Sequence, residues 1–172
     1  MKHGWIVASI VLAASPIALA AQTGKAVLHA TSKGSPLSGT ATLEQTQEGL
    51  KIAVSINHAP AGQHGLHIHQ FGSCNEAGKA AGGHYNPQNV KHGLVTKDGL
   101  GGAHPGDLGN IDIGQDGSGT LEATLPNVRL TGASPNVAGR AIVLHEKADD
   151  FSQPTGNAGG RIACGPIVVT GE

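Results

Sequence analysis

From residue 50 the chain alternates. Leu50, Ile52, Val54 and Ile56 are apolar, and Lys51, Ala53, Ser55 and Asn57 stand between them. Successive side chains of a β-strand point to opposite faces, so this run predicts a half-buried strand. Similar runs recur at 25–30, 39–44, 65–69, 108–113, 120–125, 140–145 and 162–169. Turn residues such as Gln115-Asp116-Gly117-Ser118-Gly119 separate them, and helical periodicity is absent beyond the first twenty residues. Eight short strands predict an all-β antiparallel sandwich or flattened barrel. Composition agrees with this. Glycine, at 27 residues, supplies turns, and aromatics make up only 2%, so Val, Ile, Leu and Ala must build the core.

The N-terminus differs from the rest. Lys2 and His3 precede an apolar run from Trp5 to Ala14, Ser15-Pro16 breaks it, and Ala18-Leu19-Ala20 offers small residues to a signal peptidase. This predicts a secretory signal at 1–20, cleaved after Ala20, with 21–172 as one mature domain. The apolar run is short for a membrane span of ~20 residues, and no Cys lies near the cleavage site, so no membrane anchor is expected. The predicted location is outside the cytoplasm, periplasmic or extracellular. Nucleic acid is not an expected partner, because there is no basic run and almost no aromatic side chain to stack on a base. Cys74 and Cys164 are the only cysteines. In an oxidising compartment such a pair predicts a disulfide, tying the segment after Leu66-His67-Ile68-His69 to the last strand.

Two connections, 70–107 and 146–160, are too long for hairpins and hold most of the His and Asp. Loops of that length are usually functional or disordered. His67 and His69 flank Ile68 on one predicted strand, so their rings share a face, ~7 Å apart along it. In the first long loop stand His84, His92, His104 and Asp107. Three nitrogens and one oxygen make a closed tetrahedral zinc set. The alternative is a polar loop that merely contains histidines, but a long loop needs something to order it, and a metal does so. His145 ends a strand and joins His67 and His69 as a third nitrogen. His84 completes that set if its second nitrogen faces it, one imidazolate then bridging two ions.

These residues sit in longer motifs: Gly65-Leu66-His67-Ile68-His69, Gly83-His84-Tyr85-Asn86-Pro87, Lys91-His92-Gly93, His104-Pro105-Gly106-Asp107-Leu108-Gly109-Asn110, Leu144-His145-Glu146-Lys147-Ala148-Asp149-Asp150 and Gly156-Asn157-Ala158-Gly159-Gly160-Arg161-Ile162-Ala163-Cys164-Gly165. Together, and in this order, they resemble the copper–zinc superoxide dismutases over nearly the whole mature chain. The resemblance implies an eight-stranded Greek-key barrel, a sandwich-like architecture of which that family is a standard example. It implies copper on His67, His69, His84 and His145, and zinc on His84, His92, His104 and Asp107. Asp149 is implied as the carboxylate linking one ligand of each metal, Arg161 as the guanidinium that positions the anion, and His64 as a buried structural histidine. His29 and His58 receive no role and are expected to be exposed. The implied activity is dismutation of superoxide, to dioxygen and hydrogen peroxide, by a copper redox cycle with zinc structural and His84 exchanging a proton. A non-enzymatic copper/zinc-binding module of the same fold is the alternative. Both monomers and homodimers occur among the family's bacterial members.

The chain departs from the better-known eukaryotic pattern in three places. Cys74 follows His69 by only five residues, a spacing similar to that of bacterial members. The stretch between His92 and His104 is long, with 94–102 holding the extra residues. The 146–160 loop is short and has Pro154 where the family pattern has a lysine, which implies weaker electrostatic guidance of substrate.

Overall fold

The computed structural model describes residues 21–171, so the predicted signal at 1–20 lies outside the described residues. Eight strands form: β1 (Thr23–Ala30), β2 (Ser38–Gln45), β3 (Leu50–Asn57), β4 (Gly62–His69), β5 (Asp107–Ile113), β6 (Gly119–Leu125), β7 (Ala141–His145) and β8 (Arg161–Gly171). Every pairing is antiparallel, in the order β5-β4-β7-β8-β1-β2-β3-β6. The sheet's two edges, β5 and β6, are consecutive in sequence, so their short connection brings the edges together and nearly closes a barrel. Strands β3 and β4, and β6 and β7, are consecutive but not paired, which is the Greek-key crossing.

Alternation builds the interior. In β1, β2 and β3 every second residue is buried, and these side chains meet Leu66, Ile68, Ile111, Leu125, Ile142 and Leu144 in one aliphatic core. The alternation fails in β4 and β7 because loops cover their outer faces: all five residues of β7 are buried. Ile142 and Leu144 point into the barrel, whereas Ala141 and Val143 lie under the Cys74–Cys164 bridge, together with Ala81. That disulfide is present, with the two Cα atoms 5.7 Å apart.

Two expectations need correction. A short helix, α1 (Val95–Gly102), occupies the stretch that holds the extra residues, and a turn of 3-10 helix covers Lys79–Ala81. Helix α1 is too brief and too glycine-rich to show a 3.6-residue period. Asp98 accepts a hydrogen bond from the Leu94 N–H (2.9 Å), and burial of Val95 anchors it. There is also a third long connection, 126–140, which carries the chain from β6 across to β7. Leu130 and Val137 fix it to the core, and Arg140 lies over the face of the buried Tyr85, 3.5 Å from the ring centroid.

Candidate metal centre

Strand register assembles the site on the outside of the barrel. In the β4–β5 ladder His67 pairs with Asp107, and in β7–β8 His145 pairs with Arg161. Both ladders shift register beside these residues, between Gly65 and His67 and between Leu144 and His145. Such irregularities re-aim side chains. His84 reaches the group through an isolated antiparallel bridge to His69. The loop ends are knitted to β4 at Gly106. Its carbonyl accepts the Ile68 N–H (2.8 Å), Ile68 O accepts the Tyr85 N–H (2.8 Å), and a Cβ at Gly106 would collide with Ile68 O.

His67, His69, His84 and His145 bring one ring nitrogen each within 4.8 Å of one another, all buried. His84, His92, His104 and Asp107 do the same. His84 is the ring common to both sets, its centroid 4.0 Å from His67, 5.1 Å from His69, 5.3 Å from His92 and 5.6 Å from His104. His64 is buried between the carbonyls of His145 (2.8 Å) and Pro60 (2.9 Å), while His29 and His58 are exposed.

Outer hydrogen bonds orient each ring. Asp149 takes His67 Nε2 on Oδ2 (2.7 Å) and His92 Nε2 on Oδ1 (2.9 Å), so one carboxylate spans both sets. His69 gives Nδ1 to Gly82 O (2.9 Å) and His145 gives Nδ1 to Gly159 O (3.3 Å). The Nδ1 atoms of His84, His92 and His104 all turn toward Asp107, at 2.9, 2.9 and 3.0 Å. Asp107 also accepts the backbone N–H groups of Gly93 and His104, each at 3.0 Å. Asp149 is itself held by Asn110, which receives the Asp149 N–H (2.7 Å) and donates to its carbonyl (2.9 Å).

The donor set fits cations. His67 Nδ1 is buried without a hydrogen-bond partner, and so is His92 Nδ1, which lies close to Asp107 but not along a hydrogen-bond direction. Buried polar atoms left unpaired are costly, and a bound ion removes that cost. Burial lowers the pKa of His69 to about 2 and of His145 to about 3, and of His84, against the pull of Asp107, to about 4. These rings are therefore neutral, the form a metal needs. His92 runs the other way: burial opposes its proton, but the Asp107 and Asp149 carboxylates raise its pKa to about 9. Burial opposes ionisation of Asp107, yet the facing imidazoles hold it far below the usual carboxylate range. Three nitrogens with one carboxylate suit zinc, and four imidazoles suit copper.

Beside the four-nitrogen set lies a cleft of about 210 Å³, lined by His69, His84, His145, Thr155, Asn157 and Arg161, among others. Arg161 donates to the carbonyls of Gly78 and Gly82 on the segment that the disulfide anchors. Every site residue expected from the sequence is thus in one contiguous region. Sequence reading missed the backbone of Gly82, whose carbonyl serves both His69 and Arg161, and the side chain of Gln153, which pairs with the backbone of His92. Neither carries a motif that would mark it.

A Greek-key barrel with two adjoining donor sets sharing one imidazole defines a binuclear metalloprotein. The family model described as copper/zinc superoxide dismutase (SODC) matches residues 37–167. An extracellular superoxide dismutase [Cu-Zn] of Brugia pahangi is 36% identical over 158 residues, covering 86% of this chain and 76% of that one. A superoxide dismutase [Cu-Zn] of Onchocerca volvulus is 36% identical over 149 residues, with 80% and 92% covered. An extracellular superoxide dismutase [Cu-Zn] of Caenorhabditis elegans is 38% identical over 143 residues, covering 79% of this chain but 63% of the relative. Among solved structures, the crystal structure of the clock protein EA4 matches with a TM-score of 0.76 at 32% identity, covering 91% of this chain and 100% of that one. The chain belongs to the copper/zinc superoxide dismutase family. It is an oxidoreductase that converts superoxide to dioxygen and hydrogen peroxide, with copper and zinc as its metals.

Proposed function

We propose that His67, His69, His84 and His145 hold the copper, that His84, His92, His104 and Asp107 hold the zinc, and that Arg161 docks the substrate anion. The observation that carries this reading is His84, which presents Nδ1 to Asp107 and belongs to both donor sets at once. When bound, copper supplies a one-electron couple at the cleft, and zinc supplies fixed charge without redox chemistry. His84 can hold a proton at Nε2 on the cleft side while Nδ1 stays with the Asp107 group. The Arg161 guanidinium, fixed by two backbone carbonyls, offers its remaining donors to a small anion in the cleft. Asp149 holds His67 and His92 in complementary orientations, as outer carboxylates do for metal-binding histidines.

Metal analysis tests the ligand sets. His145→Ala should lose copper and keep zinc, His104→Ala should lose zinc and keep copper, and His84→Ala should disturb both. A His84→Ala protein that binds both metals as the parent does would overturn the shared-ligand reading.

We further infer that residues 1–20 direct export and are removed after Ala20, and that the enzyme meets superoxide outside the cytoplasm. The charge pattern and small residues of Ala18-Leu19-Ala20 support this, as do the two relatives named extracellular. Among the described residues no helix is long and apolar enough to cross a membrane. Mass measurement on exported protein should give a chain beginning at Ala21; retention of Met1 would refute the cleavage.

A further inference from the structure

Gln153 lies in the exposed part of the 146–160 loop, 61 residues from His92 in sequence. Its Oε1 accepts the His92 N–H at 3.1 Å, and its Nε2 donates to the His92 carbonyl at 2.9 Å. A carboxamide carries one acceptor and one donor side by side, as a peptide does, so it can satisfy both backbone groups of one residue. The same device recurs across the centre, where Asn110 grips the backbone of Asp149. The two gripped residues meet through His92 Nε2 and Asp149 Oδ1. Asn110 stands on β5, a paired strand, whereas Gln153 stands on a loop without strand or helix. Phe151, from that loop, sets its ring nearly parallel to that of His92, with 18° between planes and the centroids 6.3 Å apart.

We propose that Gln153 is a positioning residue for the zinc set: its two-point clamp fixes the backbone of His92, sets the direction of that ring's Nδ1, and slows release of zinc. This rests on the reading of His92 as a zinc ligand. The clamp joins the 70–106 and 146–160 connections, and Gln153 is not among the residues that line the catalytic cleft. Gln153 therefore acts through His92 and touches neither substrate nor the reacting atoms.

The test uses the mature, disulfide-intact protein carrying one copper, in its reduced form, and one zinc. Gln153→Met keeps the length of the side chain and removes both hydrogen bonds. Zinc transfer to a chromogenic chelator should then be faster, on the order of tenfold, the scale of losing two modest hydrogen bonds. Amide hydrogen exchange should accelerate at His92, while Gly93, whose N–H is held by Asp107 Oδ2, keeps its parental rate. Gln153→Glu keeps the acceptor and loses the donor, so its zinc release should fall between the two, with the His92 amide still protected. Copper content should be unchanged in both variants. Parental zinc release together with parental His92 exchange in Gln153→Met would overturn the clamp. His92→Ala separates the two readings: loss of its zinc sustains the ligand assignment whatever Gln153 does, and retention of zinc at parental affinity would overturn that assignment, and with it the clamp's role in zinc release.

Discussion

His69 and His145 point their Nε2 atoms at each other across 3.2 Å. Each ring has already committed Nδ1 to a backbone carbonyl, of Gly82 and Gly159 respectively. The proton of each neutral ring is therefore on Nδ1, and the facing atoms both carry lone pairs. Two lone pairs cannot hydrogen-bond, and burial keeps either ring from taking a proton at neutral pH. Such a pair is stable next to a cation and strained without one. A metal held between them would relieve that strain and so couple its binding to folding.

Stability of the metal-free protein should peak at about pH 7, just above the ordinary histidine pKa, because three lowered rings outweigh one raised ring at pH 6.5 itself. His69, His84 and His145 have pKa values lowered by burial to about 2, 4 and 3, so below 6.5 the unfolded chain takes up protons that the folded one refuses. Stability then falls with falling pH. His92 acts oppositely. Its pKa is raised to about 9, so its contribution is complete below 6.5 and is lost as pH rises toward 9. Urea midpoints of the metal-free, disulfide-intact protein across this range test it. Stability that climbs from pH 6.5 toward 4 would contradict the buried-neutral reading.

Asp107→Ala should release zinc and leave copper in place, because only the zinc set loses a ligand. Zinc affinity should drop by more than the ~10–100-fold typical of losing an outer partner. Dialysis followed by metal analysis measures this. Equal loss of both metals would mean that the two sets collapse as a unit.

Gly156 has φ +74°, and a Cβ there would strike Asp149 Oδ1 and His92 Nε2. Gly156→Ala should therefore cost about 1–3 kcal/mol for the left-handed backbone alone. The added methyl should also break the His92–Asp149 contact. The combined signature is a lower melting temperature with faster zinc loss. An alanine variant matching the parent in both would place the backbone elsewhere.

How much of this was legible in the residues can be traced strand by strand. Strands β1 to β3 and β6 follow the alternation closely, because one face of each meets the core and the other meets water. For β4 the alternation marked only 65–69, whereas the strand starts at Gly62, since Gly62 and Gln63 are exposed and His64 is a buried polar residue. Helix α1 left no periodic trace because it is only eight residues long and kinks at Gly99. The residues that cluster in the two donor sets were legible as candidates because few side-chain types can hold a metal. Gln153 was not, since a backbone clamp needs only a carboxamide in reach, and reach is a property of the folded loop.

Reducing the Cys74–Cys164 bond should lower stability and activity together. The bond closes a loop spanning 90 positions, and removing one of this kind typically costs about 2–5 kcal/mol. It also frees the segment whose Gly78 and Gly82 carbonyls hold Arg161. Activity should fall while copper content is unchanged. Native protein with two titratable thiols would sink this account.

Arg161→Ala should keep both metals and lose most activity. Superoxide is an anion and the whole chain carries a formal net charge of −1, so the overall field does not draw it in. Capture must depend on positive charge near the cleft. At ~0.1 M ionic strength charges farther than about 10 Å from the target are screened. Among the described residues that line the cleft, Arg161 is the one permanently charged cation; the stem of Lys147 lies against Gly159, which lines the same cleft, and Lys79 follows Gly78, whose carbonyl Arg161 holds. Steered association is accelerated by ~10–1,000-fold in general, and this family is itself a known example of it. If Arg161 supplies the field, added salt should slow the parent steeply and the variant only slightly. The measurement is the dismutation rate against ionic strength for both proteins, at fixed pH and full metal loading, with Lys79→Ala and Lys147→Ala as companions. Shallow curves in the lysine variants alone would move the steering field to the rim, and leave Arg161 with docking of the anion as its whole role.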